Sequence, residues 1–259
     1  MRSRRALALV LGAAALASLG AVLFAPSSNS TTKGGELPES PDPALTIGPP
    51  RALAGERHIS LWTAVRRPVT ARSSPSGDAA AVARVGRRTP EGTANPLQVL
   101  GRTRDEAGRV WVRTRLAVLP NGTTGWVPRA AISGYRVVRT RLVVNLRRRR
   151  ATLWRDGRPL LRAPVGIGLP QWPTPRGRFY VRNKLVRYRS PFYGPLAFGT
   201  SARSPVLTDW PGGGFVGIHG TNQPELIPGR VSHGCIRMRN HDIRRLGRLM
   251  PVGTPIRIS

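Results

Sequence analysis

Short apolar runs separated by turn signals fill the chain from residue 57 onward. In the first stretch, Val69-Thr70-Ala71, Ala81-Val82-Ala83, Leu97-Gln98-Val99-Leu100, Val110-Trp111-Val112 and Gly125-Trp126-Val127 recur roughly every ten residues. Asn121-Gly122 and Glu106-Ala107-Gly108 fall between such runs as hairpin turns. This pattern predicts a small all-β body over residues 57–134. A second strand-rich body is expected over 136–259. Its candidate strands include Arg141 to Leu146, Ala151 to Trp154, Leu160 to Val165, Arg178 to Val181 and Pro255 to Ile258, with Asp156-Gly157 as a hairpin turn. A single helix is predicted from Asn240 to Leu249. Asn240 can cap it, Ile243, Leu246 and Leu249 share a face, and Met250-Pro251 ends it. No glycine-rich loop opens a helix, and strands do not alternate with helices, so a nucleotide-binding α/β fold is not expected. The fold class is mainly β.

The amino terminus breaks the pattern. Arg2, Arg4 and Arg5 precede an uncharged stretch from Ala6 to Ala25. Residues 1–25 therefore read as a signal peptide or a signal anchor. The positive-inside rule then places the bulk of the chain outside the cytoplasm, an exported envelope protein. Residues 26–56, rich in Ser and Pro, read as a disordered linker.

Charge adds a candidate partner. The chain has 42 Lys and Arg against 12 Asp and Glu, a formal net charge of +30. Such a charge suits an anionic partner, whether nucleic acid, a membrane surface or an acidic polymer, or reflects a compositional bias toward arginine. The arginines are spread along the whole chain, and an export signal argues against nucleic acid. The one dense block, Arg147 to Arg150, lies between two apolar runs and is expected to be a solvated turn or strand.

Chemistry concentrates near the carboxyl end. Cys235 is the single cysteine, and His219, His233 and His241 lie within sixteen residues of it. A lone thiol forms no internal disulfide, so reactivity or packing is its use. Cysteine catalysis needs a thiolate, an imidazole and a group that orients the imidazole. His219 follows the strand-like Phe215 to Ile218, which places it at a strand end. Gly234 lets backbone amides approach a substrate closely. Zinc is a weaker reading: the spacings among His219, His233, Cys235 and His241 match no familiar finger.

Several ordered motifs carry a resemblance. His219-Gly220-Thr221-Asn222 and Ser232-His233-Gly234-Cys235-Ile236-Arg237-Met238 resemble the signature of L,D-transpeptidase catalytic domains of the YkuD type. Val165 to Gly168, Thr174 to Phe179 and Gly253 to Ile258 agree with it, over about 142 to 258. The resemblance implies a YkuD-like β-sandwich with Cys235 as nucleophile and His219 as its proton partner. The Gly220 carbonyl would orient the imidazole. Gly234 and Cys235 would offer oxyanion amides, while His233, Ser232 and Arg237 support the loop. It further implies acyl transfer on peptidoglycan stem tetrapeptides through a thioester, 3→3 cross-links, release of D-alanine and sensitivity to carbapenems. No cofactor or metal is implied, and a monomer is expected. Val69 to Pro75 and Gly125-Trp126-Val127 resemble a bacterial SH3-like domain, which implies wall binding or positioning. Two alternatives stay open: a non-catalytic wall-binding protein, and an L,D-carboxypeptidase that uses water as acceptor. A sortase fits poorly, since its His and Arg spacings differ. Papain-like peptidases put Cys before His, the reverse of this order. Trp172, Trp210, Tyr188 and Tyr193 are candidates for a substrate groove, and Pro191 to Pro195 for a loop over the sheet.

Overall fold

Alternation at period two sorts the strand residues between core and solvent. In Thr140–Asn145, Thr140, Leu142 and Val144 are buried while Arg141 faces out. The neighbouring Arg150–Arg155 buries Ala151 and Leu153 in the same way. The computed structural model describes residues 59–186, 190–207 and 214–259. The expected membrane segment, the linker, Tyr188 and Trp210 lie outside these residues. Among the described residues, no helix is long and apolar enough to cross a membrane.

Seven strands make the first sheet: β1 (Ser60–Ala64), β2 (Val69–Arg72), β3 (Ala81–Val85), β4 (Pro96–Arg104), β5 (Val110–Arg115), β6 (Thr124–Pro128) and β7 (Arg136–Val138). Their order is β3-β2-β6-β5-β4-β1-β7. Residues 136–138, read from sequence with the second body, pair with β1 in this sheet. Val65, Ala71, Leu97, Val99, Val112, Val127 and Ile132 belong to its core. The predicted turns are present: Gly108 and Gly122 both have positive φ, where glycine carries little strain. Asp105 closes the first turn by accepting from Arg109 N and Arg109 Nε, each at 2.8 Å, and from Trp111 Nε1 at 2.9 Å.

The second sheet comprises β8 (Thr140–Asn145), β9 (Arg150–Arg155), β10 (Arg158–Pro164), β11 (Gly166–Gly168), β12 (Gly177–Leu185), β13 (Ala197–Arg203), β14 (Phe215–His219), β15 (Gly229–Ser232), β16 (Ile236–Arg237) and β17 (Pro255–Ile258). The order is β10-β9-β8-β17-β12-β13-β14-β16-β11-β15. The arginine block is a fully exposed turn entering β9, and Asn145 Oδ1 accepts from Arg148 N at 2.8 Å. Helix α1 (Asn240–Leu249) occupies the predicted residues. It buries Ile243 and Leu246 against the core that also holds Phe179, Phe198 and Ile218. Each such side chain contributes roughly 1.5–3 kcal/mol of transfer free energy. One expectation fails here. Asn240 does not cap the helix, because its Oδ1 accepts from the Thr221 amide at 3.0 Å.

Polar contacts join the sheets within one compact unit. Arg182 Nη2 meets both Glu91 carboxylate oxygens at 2.8 Å. Asn183 Nδ2 reaches Glu91 Oε2 at 2.9 Å. The Asn121 side chain bonds the Arg203 backbone twice, donating at 2.7 Å and accepting at 3.0 Å.

Candidate functional site

Period two along β14 decides what meets the thiol. One face carries Phe215, Gly217 and His219, while Val216 and Ile218 pack into the core. Parallel pairing of β14 with β16 sets Ile218 beside Ile236 and His219 beside Arg237. Cys235, one residue before β16, is thereby brought to Gly217. The Gly217 amide donates to Cys235 Sγ at 3.3 Å. A methyl group on Gly217 would lie 3.7 Å from His219 Cδ2 and 3.9 Å from Cys235 Sγ. The thiol and imidazole thus border the same small space.

The imidazole is held by three elements. His219 Nδ1 lies 2.6 Å from the Gly220 carbonyl oxygen. A carbonyl only accepts, so Nδ1 carries the proton and Nε2 keeps its lone pair. The His219 carbonyl accepts from Met238 N at 2.8 Å, and Gly220 N donates to Leu196 O at 3.2 Å. Asn240 braces the next residue through the Thr221 amide. The Tyr193 ring closes over His219, with centroids 4.5 Å apart.

The loop around Cys235 is wired from inside. Ser232 Oγ donates to the Cys235 carbonyl at 2.6 Å and accepts from Gly234 N at 3.2 Å. The Gly234 amide, expected to face an oxyanion, is therefore engaged by Ser232 in this structure. Gly234 has φ +112°, a conformation that a side chain would strain. Thr174 Oγ1 donates to the Gly234 carbonyl at 2.9 Å and accepts from Gly168 N at 2.8 Å. His233 is exposed and stacks obliquely on Trp172 at 4.2 Å. Arg237 Nη1 approaches Gln223 Oε1 at 3.4 Å. His241 is 73% exposed and meets Asp242, away from this arrangement.

A cavity of about 440 Å³ opens over these groups. Cys235, His219, Ser232, His233 and Arg237 line it together with Phe192, Tyr193 and Phe215. Burial lowers the His219 pKa to about 4, against an opposing hydrogen bond from Gly220, and the nearby Arg237 charge lowers it further. Burial raises the Cys235 pKa, while the Gly217 amide and Arg237 pull it back in part. Both dominant effects disfavour charge. At rest, a neutral thiol beside a neutral imidazole is therefore favoured. Such a pair can pass a proton from sulfur to Nε2 as sulfur attacks. Among the described residues, no group of three or more His, Cys, Asp or Glu side chains is arranged to hold a metal ion.

Of the groove candidates, Tyr193 lines the cavity and Trp172 packs on His233. Sequence reading missed Gly217 and Phe215. Both could have been found by counting back in twos from His219 once that segment was read as a strand.

Residues 139–258 match the family model of the L,D-transpeptidase catalytic domain, YkuD. The chain is 34% identical over 119 residues to "Putative L,D-transpeptidase YkuD" of Bacillus licheniformis, covering 46% of this chain and 65% of that protein. It is 36% identical over 118 residues to the protein of the same name from Bacillus subtilis, with the same shares covered. The chain thus spans just under two thirds of these curated relatives. The solved catalytic domain of an E. faecium L,D-transpeptidase is 28% identical, with a TM-score of 0.36, over 46% of this chain and 96% of that one.

Proposed function

Because residues 139–258 match the family model of the YkuD L,D-transpeptidase catalytic domain, we propose that this chain transfers acyl groups between peptidoglycan stem peptides outside the cytoplasm. The observation that carries the reading is the shared space between Cys235 Sγ and His219, with the imidazole tautomer set by Gly220. Cys235 attacks the carbonyl of the third residue of a tetrapeptide stem, and His219 Nε2 takes the thiol proton. A tetrahedral intermediate collapses to a thioester. The departing D-alanine nitrogen takes the proton from Nε2. An amine of a second stem then attacks the thioester. His219 accepts a proton from that amine and returns it to sulfur, leaving a 3→3 amide and the free thiol. Arg237 lines the cavity with a buried Nε that has no partner, which suits a carboxylate of the stem.

Gly217 N also takes part in this scheme. It is directed at Cys235 Sγ, where it steadies negative charge as the proton leaves. The Ser232 hydroxyl holds the Gly234 amide until the loop meets an oxyanion. The first sheet, read as SH3-like, positions the enzyme on the wall, and the amino-terminal segment delivers or tethers it there.

Intact mass spectrometry after incubation with a tetrapeptide stem tests the reading. We expect a covalent adduct with loss of D-alanine, absent in Cys235→Ala. An unmodified wild type, together with a Cys235→Ala variant that keeps its full effect on the wall, overturns it in favour of a wall-binding protein.

A further inference from the structure

Phe215 stands at the amino end of the strand that carries His219, and it lines the catalytic cavity. Its ring is not held by apolar packing alone. The Arg182 guanidinium carbon lies 3.6 Å from the ring centroid, and that of Arg203 lies 4.9 Å away. Arg182 is 2% exposed, so its contact with the ring is desolvated and correspondingly strong.

What fixes Arg182 comes from the other sheet. Both Glu91 oxygens accept from Arg182 Nη2. Asn183 Nδ2 adds a third bond to the same carboxylate, and Asn183 Oδ1 accepts from Gly199 N at 2.9 Å. Glu91 itself sits in a closed turn. Thr89 N bonds Thr93 O at 2.8 Å, Gly92 N bonds Thr89 O at 2.9 Å, and the two threonine hydroxyls lie 2.8 Å apart. The carboxylate is thus offered from a rigid support. Burial disfavours the Arg182 charge, and Glu91 restores it. A displaced Arg182 would leave the ring without its cation.

We propose that Glu91 is a positioning residue for the catalytic cavity. Acting through Arg182, it fixes Phe215 as the wall against which the donor peptide lies, so the seven-stranded sheet is a working part of the active site. This rests on the acyl-transfer reading for the identity of the donor. The geometry of the wall does not depend on it. A simple staple between sheets would need the ion pair but not the aromatic ring stacked beneath the guanidinium, facing the thiol's cavity.

Two variants and two readouts separate these roles. Glu91→Gln leaves a buried guanidinium short of its counter-charge. The double variant E91Q/R182M removes that charge and keeps the bulk, which relieves the fold. KM and kcat are measured with a tetrapeptide stem. Alkylation of Cys235 by N-benzylmaleimide relative to iodoacetamide reports the apolar wall without any turnover. KM is expected to rise about tenfold in the double variant, the scale of a lost desolvated cation–π contact, and by a smaller factor in Glu91→Gln, whose guanidinium loses its anchor. The kcat should stay within about twofold, and the alkylation ratio should fall. The double variant should unfold at the wild-type temperature and still show both changes. A double variant that recovers wild-type KM and alkylation ratio overturns the proposal and leaves a structural staple. If the wild type turns over no stem peptide while the ratio still shifts, the acyl-transfer reading falls and the positioning role stands.

Discussion

The turn at Asp105 and the site at His219 handle buried polarity in opposite ways. Asp105 lies between β4 and β5 in the first sheet and collects three donors, led in effect by Trp111, which hold its carboxyl below the usual range. The charged form is the stable one, and the group serves the fold. His219 and Cys235, in the second sheet, are each given a neighbour but are surrounded by enough apolar material that the neutral forms win. A site that must move a proton keeps both ends uncharged, at a cost in stability. A turn that must stay closed does not.

The largest effect should come from His219→Ala, which removes the proposed proton acceptor. A loss of about 10³-fold in kcat is expected, within the usual range for a positioned acid–base. Retention of more than a tenth of the wild-type rate would count against this role.

Lowering the pH tests the same contrast through stability. A histidine with an ordinary unfolded pKa near 6.5 and a folded value of about 4 binds its proton in the unfolded chain first. Stability is therefore complete above about pH 6.5, falls as the pH drops toward 4, and levels off below. The loss attributable to His219 is on the order of 3 kcal/mol. Chemical denaturation of wild type and His219→Gln at pH 7 and pH 4.5 reads it as a smaller pH slope in the variant. The kcat/KM should also decline about tenfold per unit below pH 4, as the acceptor becomes occupied.

Gly217→Ala isolates the space between the two groups. The added methyl would sit at ordinary contact distances of 3.4–3.9 Å from Phe198 O, His219 Cδ2 and Cys235 Sγ. The fold should survive, with a melting temperature close to wild type. The acyl carbon would lose room, and a fall of about tenfold or more in kcat/KM is expected from misplacement alone.

At the small end, Asp105→Ala should lower the melting temperature slightly through its lost turn bonds and leave kcat/KM unchanged. A change in kcat/KM would mean that the two regions are coupled at this turn as well as at Glu91.

The sequence carried these two regions unequally. Helix α1, the Asp156-Gly157 turn and the strand ending at His219 were legible because each is set by local periodicity or turn chemistry. The pairing of Arg182 with Glu91 joins residues 91 positions apart and leaves no local trace. Strand β16 is two residues long and owes its place to β14 and β11 on either side. The helix start misled for a related reason: Asn240 has the right chemistry for a cap, but a backbone amide from a distant loop claims it. The neutral state of the pair depends on three-dimensional burial, which no spacing reports.

The position of β16 has a kinetic corollary. Its neighbours are contributed by segments that begin at Gly166 and Phe215, so the thiol is seated beside its imidazole by a short closure, Ile218 to Ile236, and a long one, Gly166 to Arg237. Such non-local closures are slow steps in folding. A chain caught before them carries a cysteine with no proton acceptor beside it. The proton acceptor thus joins the thiol only as β16 is seated between its two neighbours.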